Sequence, residues 1–552
     1  MDRITRTLIF GQDTREKIVR GVEIAAKAVG TTLGSRGRNV ALEKNWGAPI
    51  ILHDGVSVAR EVILKDPYEN MGAQLVIAAA QKTNDQAGDG TTTATILTYA
   101  IVKEAMKIVS AGNNPMIIRK GIEKAVAAVL SEMSRSAKKI TKSEDLKNVA
   151  TISCADAEIG ELIADAIQKV GEEGIVTVQE GQKSYIEVEY KEGMDFDRGL
   201  LSPYFITDQS RFEAVLNSTK SEKNVYVIVV DEVMKQTDIV SLLSKVYKGT
   251  DRPTVLFIAN DYEPDALSVL VINRIRQGMP IFAVRSPEYG EHRTNLLNDI
   301  ATITGGHLIT NKGTGIPLEQ ATKESFGRTE KVIITKDQTL IINGAGKESD
   351  IKERIQSIDM LLSEVKMEGE RDKLQSRKAK LTGGVAVILV GAPSETEMRE
   401  KKERIYDAVN ATKAAIDEGI VPGGGVSLIN ARQIIKSLTI PDNEMRGAMI
   451  IYEALAYPIR KLIDNVGGID PGYVIGKIEE NKSKTYGYNV DSESFENLME
   501  TGIIDPVKVT KFALINAASV ATMLITTDCM IAFEREYKKN DTVDNDGIGN
   551  FE

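Results

Sequence analysis

Two cysteines, three histidines and one tryptophan are all that a chain of 552 residues contains of those types. Cys154 and Cys529 cannot build a disulfide framework, so a reducing compartment and a cytoplasmic protein are expected. A zinc site is not expected either, because His53, His292 and His307 stand apart from both cysteines. No uninterrupted apolar run reaches ~18 residues, the length a membrane helix needs. The opening Met1-Asp2-Arg3-Ile4-Thr5-Arg6 carries arginine but no apolar signal core, which again predicts no membrane. A basic face is missing too: 79 acidic residues against 69 basic ones give a net charge of −10. With lysine and arginine dispersed, nothing suggests nucleic acid as a partner. Nor is there a P-loop. The nearest match, Gly344-Ala345-Gly346-Lys347-Glu348, has Ile341 at the first glycine position and Glu348 where a hydroxyl must reach a metal.

What the chain does have is Gly88-Asp89-Gly90-Thr91-Thr92-Thr93-Ala94-Thr95. Two glycines allow positive φ and close approach of the backbone to a ligand. Asp89 offers the hard oxygen that Mg²⁺ accepts. Ala94, Leu97, Ile101, Ala105 and Ile108 then recur at helical spacing, so the threonines sit at a helix N-terminus, where free N–H groups favour phosphate. Alone, such a loop is equally an ordinary capped helix after a glycine turn. Four further segments supply what a nucleotide site would lack. Thr31 to Arg38 is a second glycine turn with hydroxyls and cations, and His53-Asp54-Gly55-Val56-Ser57 places a carboxylate on a third. Asp407 lies in the helical stretch Arg399–Glu418, before Gly423-Gly424-Gly425, and Tyr488-Asn489 and Ile504-Asp505-Pro506 follow.

A chain of this length needs two to four domains. Residues 8–135 read as Ala-rich helix, 136–191 as helix with short β-branched runs, and 192–384 as α/β. Val225–Val230 and Thr254–Ile258 look like buried strands there. Helix dominates again to about 535, and the polar tail 535–552 reads as disordered. The halves of the candidate site lie more than ~300 residues apart, so the middle must be inserted into an outer domain.

In this order the segments resemble the GroEL-type (group I) chaperonins. The matching words include Thr32-Leu33-Gly34, Asp54-Gly55-Val56-Ser57, Glu69-Asn70-Met71-Gly72, Asn84-Asp85 through Thr95, Phe196-Asp197-Arg198-Gly199, Leu201-Ser202-Pro203-Tyr204-Phe205, Gly383-Gly384-Val385, Gly423-Gly424-Gly425-Val426 and Ile525-Thr526-Thr527-Asp528. The resemblance implies a multidomain α and α/β architecture: a helical equatorial ATPase domain from both termini (1–135 and 418–552), a two-piece intermediate domain (136–191 and 385–417) and an inserted α/β apical domain (192–384). It implies an ATPase that captures non-native polypeptides and promotes their folding in a homo-oligomeric, heptameric ring, with a lid-like co-chaperonin as partner.

Residue by residue, the resemblance gives Asp89 to Mg²⁺ and makes Gly90, Thr91, Thr92 and Thr93 donors to the phosphates of ATP. The turn Thr32-Leu33-Gly34-Ser35 wraps the phosphates from the other side. Asp407 orients the attacking water, with Asp54 as the second catalytic carboxylate. Gly424, Asn489, Val490, Asp491 and Asp505 frame the adenosine, Asp505 at the ribose. A K⁺ ion is expected near Thr32 and Thr92, with His53 beside it. Two departures stand out: Ser35 replaces a usual proline and His53 a usual lysine. In the apical domain the resemblance assigns substrate contacts to Leu200, Tyr204, Phe205, Leu267, Val271 and Ile272, with Val240 and Leu243 on a neighbouring helix. Without the family, a helix as apolar as Asp265–Arg276 would be read as buried. It also matches Glu395 to a position that pairs with a neighbouring subunit, and Asp470 to a contact between rings. The competing readings are a non-hydrolysing scaffold of the same fold, and a small-molecule kinase, for which no acceptor site is recognisable.

Overall fold

The computed structural model describes residues 6–533 except 44–48, 53, 172–173, 182, 210, 219–224, 248–251, 314 and 366–367. His53 and the tail therefore lie outside the described residues. The chain forms two compact units, residues 1–160 with 407–552, and residues 161–406. The stretches expected to form a separate intermediate domain, 136–191 and 385–417, are divided between them.

The first unit is helical. Helices Gly11–Gly30, Pro67–Ala87, Thr91–Ser110, Pro115–Ser136, Asp442–Ala454 and Val507–Ile525 enclose one core, in which Ile18, Leu97, Ile101, Ile122, Leu514 and Leu524 are buried. Local sequence starts these helices. Asp66 accepts from the N–H groups of Tyr68 and Glu69 with Pro67 in the first turn, and Asn114 with Pro115 repeats the device. Small residues then bring the helices together: a β-carbon on Gly21 would stand 1.9 Å from the carbonyl oxygen of Glu69. Helix Val507–Ile525 is apolar and long enough by composition to cross a membrane, yet two thirds of it is buried as the core helix of this unit. Strands Arg6–Phe10 and Cys529–Phe533 pair antiparallel, Leu8 opposite Ile531, so the two ends of the described chain meet.

The second unit is built on a nine-stranded sheet. Val225–Met234, Val255–Tyr262 and Ile281–Arg285 run parallel, and the apolar runs 225–230, 255–259 and 281–284 within them reflect burial on both faces. Helices Gln236–Val246 and Pro264–Gln277 connect them. Gly384–Val390 pairs parallel with Ile175–Glu180 and antiparallel with Glu187–Phe196, and the remaining pairings are antiparallel. Asp299 is fully buried and receives Arg354 at 2.6 Å and Arg377 at 2.8 Å, so three segments share one satisfied charge cluster.

Candidate functional site

All of the expected nucleotide residues that are described fall in the first unit, where they come together from five segments. Helix Pro67–Ala87 ends in Gly88 with φ +71°, and helix Thr91–Ser110 begins after Gly90 with φ +87°. Both angles lie in the left-handed region that favours glycine. No side chain caps the second helix, so its first N–H groups remain available to an anion. Thr91 is buried at that end, and Thr92 and Thr93 are half-buried.

Two contacts seat the loop. A β-carbon on Gly88 would lie 2.2 Å from the Cβ of Asn410. Asn410 is on helix Glu395–Glu418, three residues after Asp407 and so on the same face one turn on. A β-carbon on Gly90 would meet the Val509 side chain at 2.7 Å, which ties the loop to the start of helix Val507–Ile525. Asp407 is half-buried on its helix.

The third segment enters from the other side. A β-carbon on Gly55 would stand 2.1 Å from the hydroxyl of Thr92, so the Asp54–Gly55 turn touches the first turn of the phosphate helix. Asp54 Oδ1 accepts from Ser57 N at 2.6 Å and caps helix Gly55–Glu61. That is a structural duty beside the catalytic one expected of it.

The turn after Gly30 is the fourth. Thr31 and Thr32 hydroxyls donate to the carbonyls of Lys27 and Val29, and Gly37 N closes the turn on Gly34 O at 2.9 Å. Thr32 and Leu33 are half-buried, while Gly34 and Ser35 are exposed. Asn465 Nδ2 donates to Gly30 O at 3.1 Å and Leu33 O at 2.9 Å.

The fifth segment is the short sheet of Ile420–Pro422 with Ile504–Pro506, in which Val421 faces Asp505. A β-carbon on Gly423 would lie 3.1 Å from Asp505 Oδ1, Gly424 has φ +61°, and Gly425 starts helix Val426–Arg432. The three glycines therefore open a helix, not close one, and each position has its own steric reason. Beside them the hairpin Tyr486–Asn489 with Ser494–Asn497 carries Asn489, whose Nδ2 donates to Glu496 and whose Oδ1 accepts from Asp491 N at 2.9 Å. Val490 is half-buried and Asp491 exposed.

Two buried carboxyl groups of the site are shifted. Burial raises the carboxyl of Asp89 above its ordinary value, against the opposing hydrogen bond from Gly90 N. Burial and the charge of Asp89 together push Asp505 up to about 6. A buried carboxylate whose charge also raises its neighbour fits a divalent cation, whose charge would relieve both. The donor set is hard oxygen, as Mg²⁺ requires, and Asp89 fits as its ligand.

On the second unit the expected substrate surface is smaller than the sequence implied. Tyr204, Val240 and Ile272 are exposed at 63%, 53% and 47%, and Ile275 joins them at 56%. Leu200, Leu267 and Val271 are half-buried. Phe205 and Leu243 correct the reading: both are buried, Phe205 completely. Phe205 packs on Phe282 at 6.2 Å within the sheet core, and Leu243 faces inward on its amphipathic helix. Glu395 pairs with Arg399 one turn on at 2.9 Å, and Asp470 caps helix Pro471–Glu480 by accepting from Tyr473 N.

Asn410, Asn465 and Val509 hold the site together and were not singled out by sequence. Asn410 had a signal, its helical spacing from Asp407; the other two had none. A shallow cleft lined by Glu132, Arg135, Gln433, Lys436, Glu479 and Lys484 contains none of these residues.

A family model described as the TCP-1/cpn60 chaperonin family matches residues 25–535. Among solved structures the chain is similar to the chaperonin gp146 from the bacteriophage EL 2 (Pseudomonas aeruginosa) in the presence of ATP-BeFx. In crystal form II the TM-score is 0.69 at 21% identity, covering 97% of this chain and 100% of that one. In crystal form I it is 0.62 at 21% identity, covering 96% and 99%. At that identity the likeness speaks for the fold.

Proposed function

The chain belongs to the TCP-1/cpn60 chaperonin family, and from that premise we propose that it is an ATP-driven chaperone that captures non-native polypeptides and promotes their folding in a homo-oligomeric ring. The observation that carries the ATPase reading is the convergence of Gly88–Thr93, Asp54–Gly55, the helix of Asp407 and Asp505 within one unit made from both ends of the chain.

In this reading the uncapped helix end at Thr91 receives the phosphates, and Thr92, Thr93 and the turn Thr32–Ser35 close around them. Mg²⁺ held by Asp89 would offset phosphate charge as it develops. Asp407 orients the water that attacks the terminal phosphate, supported by Asp54. Asp505, Gly424, Asn489 and Val490 frame the adenosine. K⁺ near Thr32 and Thr92 is part of the same proposal. The exposed Tyr204, Val240, Ile272 and Ile275 support capture of unfolded chains, since clustered apolar side chains at a surface mark a binding site. A lid co-chaperonin on the same surface, a heptameric ring and a cytoplasmic location complete the reading.

The test is ATP hydrolysis by the purified protein, with and without Mg²⁺, alongside particle imaging and refolding of a denatured client. Metal-dependent hydrolysis, rings and ATP-dependent refolding are expected. Rings that refold nothing and hydrolyse nothing would support a scaffold of the same fold instead.

A further inference from the structure

Ser35 and Asp491 lie 456 positions apart in sequence, yet Ser35 Oγ donates to Asp491 Oδ1 at 2.7 Å. Arg36 Nε stands 3.8 Å from the same oxygen. The two elements that meet here are each held without this contact. At its root the turn 31–37 is fixed by the Thr31 and Thr32 hydroxyls and by Asn465. Its tip also rests on helix Tyr457–Val466, where a β-carbon on Gly34 would lie 2.3 Å from Leu462 Cδ2. The hairpin 486–497 is seated on helix Val426–Arg432, since a β-carbon on Gly487 would stand 2.6 Å from Val426 Cγ2. Asn489 fixes the backbone of Asp491 and so aims its carboxylate.

One of these elements leads into the phosphate end of the site and the other borders its adenosine end. Their tips are bridged by exposed groups only. Exposed polar contacts add little to fold stability, and salt weakens them. Such a contact opens without disturbing the core, so it suits a gate better than a brace.

We infer that Ser35, with Arg36, and Asp491 form a clasp across one side of the nucleotide site that sets how long nucleotide stays bound. The inference rests on the nucleotide reading above. Ser35 is a positioning residue in it, acting through Asp491. A proline at position 35, usual in the family this chain resembles, would have no hydroxyl to donate, so the clasp belongs to this chain's own pair of residues.

The experiment is stopped-flow release of a fluorescent ADP analogue from the full-length assembled protein. Ser35→Ala and Asp491→Ala each speed release roughly 2- to 10-fold, the scale of one net hydrogen bond. The double variant releases no faster than Asp491→Ala alone, because that change already removes the bond to Ser35. Ser35→Thr, which keeps the hydroxyl, releases like the wild type. At constant K⁺, added tetramethylammonium chloride speeds release from the wild type but not from Asp491→Ala, a response that a merely structural role would not produce. Melting temperatures of all variants stay at the wild-type value. Variants that bind the analogue and release it at the wild-type rate, or singles whose effects add in the double variant, overturn the clasp and leave the nucleotide reading standing. A wild type that binds no analogue overturns both.

Discussion

Gly88 and Asn410 meet so closely that a β-carbon on the glycine would lie 2.2 Å from that of the asparagine. The contact couples the loop of Asp89 to the helix that carries Asp407 one turn away. The backbone of Gly88, at φ +71°, also lies where a β-carbon is strained in its own right.

Gly88→Ala is therefore expected to destabilise the first unit by about 1–3 kcal/mol and to weaken ATP binding. Asn410→Ala in the same background brings no recovery, because the offending β-carbon remains. Urea denaturation with calorimetric titration of ATP checks both, and a Gly88→Ala protein with wild-type affinity would mean the loop does not depend on this contact.

Asp407→Ala and Asp89→Ala should part company. Removal of an oriented catalytic group costs ~10²–10⁴ in rate, so Asp407→Ala should lose turnover while keeping most of its nucleotide affinity. Asp89→Ala should lose Mg-ATP affinity as well. Equal losses of affinity in the two variants, measured by calorimetry beside steady-state hydrolysis, would defeat the division of roles.

Asp505 titrates near 6 in place of its ordinary 3.8. A raised carboxyl pKa means the folded protein holds this proton more tightly than the unfolded chain. Its stabilising contribution is complete below the unfolded value and disappears as pH rises through about 6. Asp505→Asn should therefore raise the melting temperature of the nucleotide-free protein at pH 8 more than at pH 5. A gain equal at both pH values would show that Asp505 is not the group responsible.

Phe205→Ser and Ile272→Ser should behave oppositely. Phe205 is fully buried, so its loss should cost ~3–5 kcal/mol in the second unit. Ile272 is 47% exposed, so its replacement should leave melting nearly unchanged and reduce capture of a denatured client. Thermal melting and a client-aggregation assay separate the two; an Ile272→Ser protein that melts early yet captures normally would make that helix core.

The glycine turn that opens helix Thr91–Ser110 was legible because glycine tolerates a left-handed backbone and the apolar period starts just after it. Gly88 and Gly90 fall at positive φ as their place between two helices implied. The apolar runs 225–230 and 255–258 were equally readable, and they fall in strands Val225–Met234 and Val255–Tyr262. The apical surface was not. Leu243 and Val240 lie on one helix three residues apart, one buried and one exposed, and only the sheet packed beneath decides which. Phe205 was misread for a related reason: its neighbour Tyr204 is exposed, and the 3₁₀ turn Pro203–Phe205 sends adjacent side chains in different directions. Ser35 and Asp491 gave no sign of one another, because a hydrogen bond between distant exposed residues leaves no periodicity.

The pairing of Arg6–Phe10 with Cys529–Phe533 carries a consequence for synthesis. A ribosome makes the N-terminal half of the first unit early, but strand Cys529–Phe533, core helix Val507–Ile525 and Asp505 emerge only after the whole second unit. Until then Ile18, Leu97 and Ile101 lack their partners from the far end of the chain, and a nascent chain with such surface uncovered is prone to aggregate. The second unit, made from one continuous stretch, can finish while the first waits. This member of a chaperonin family is thus itself an incomplete chain while its second unit is being made.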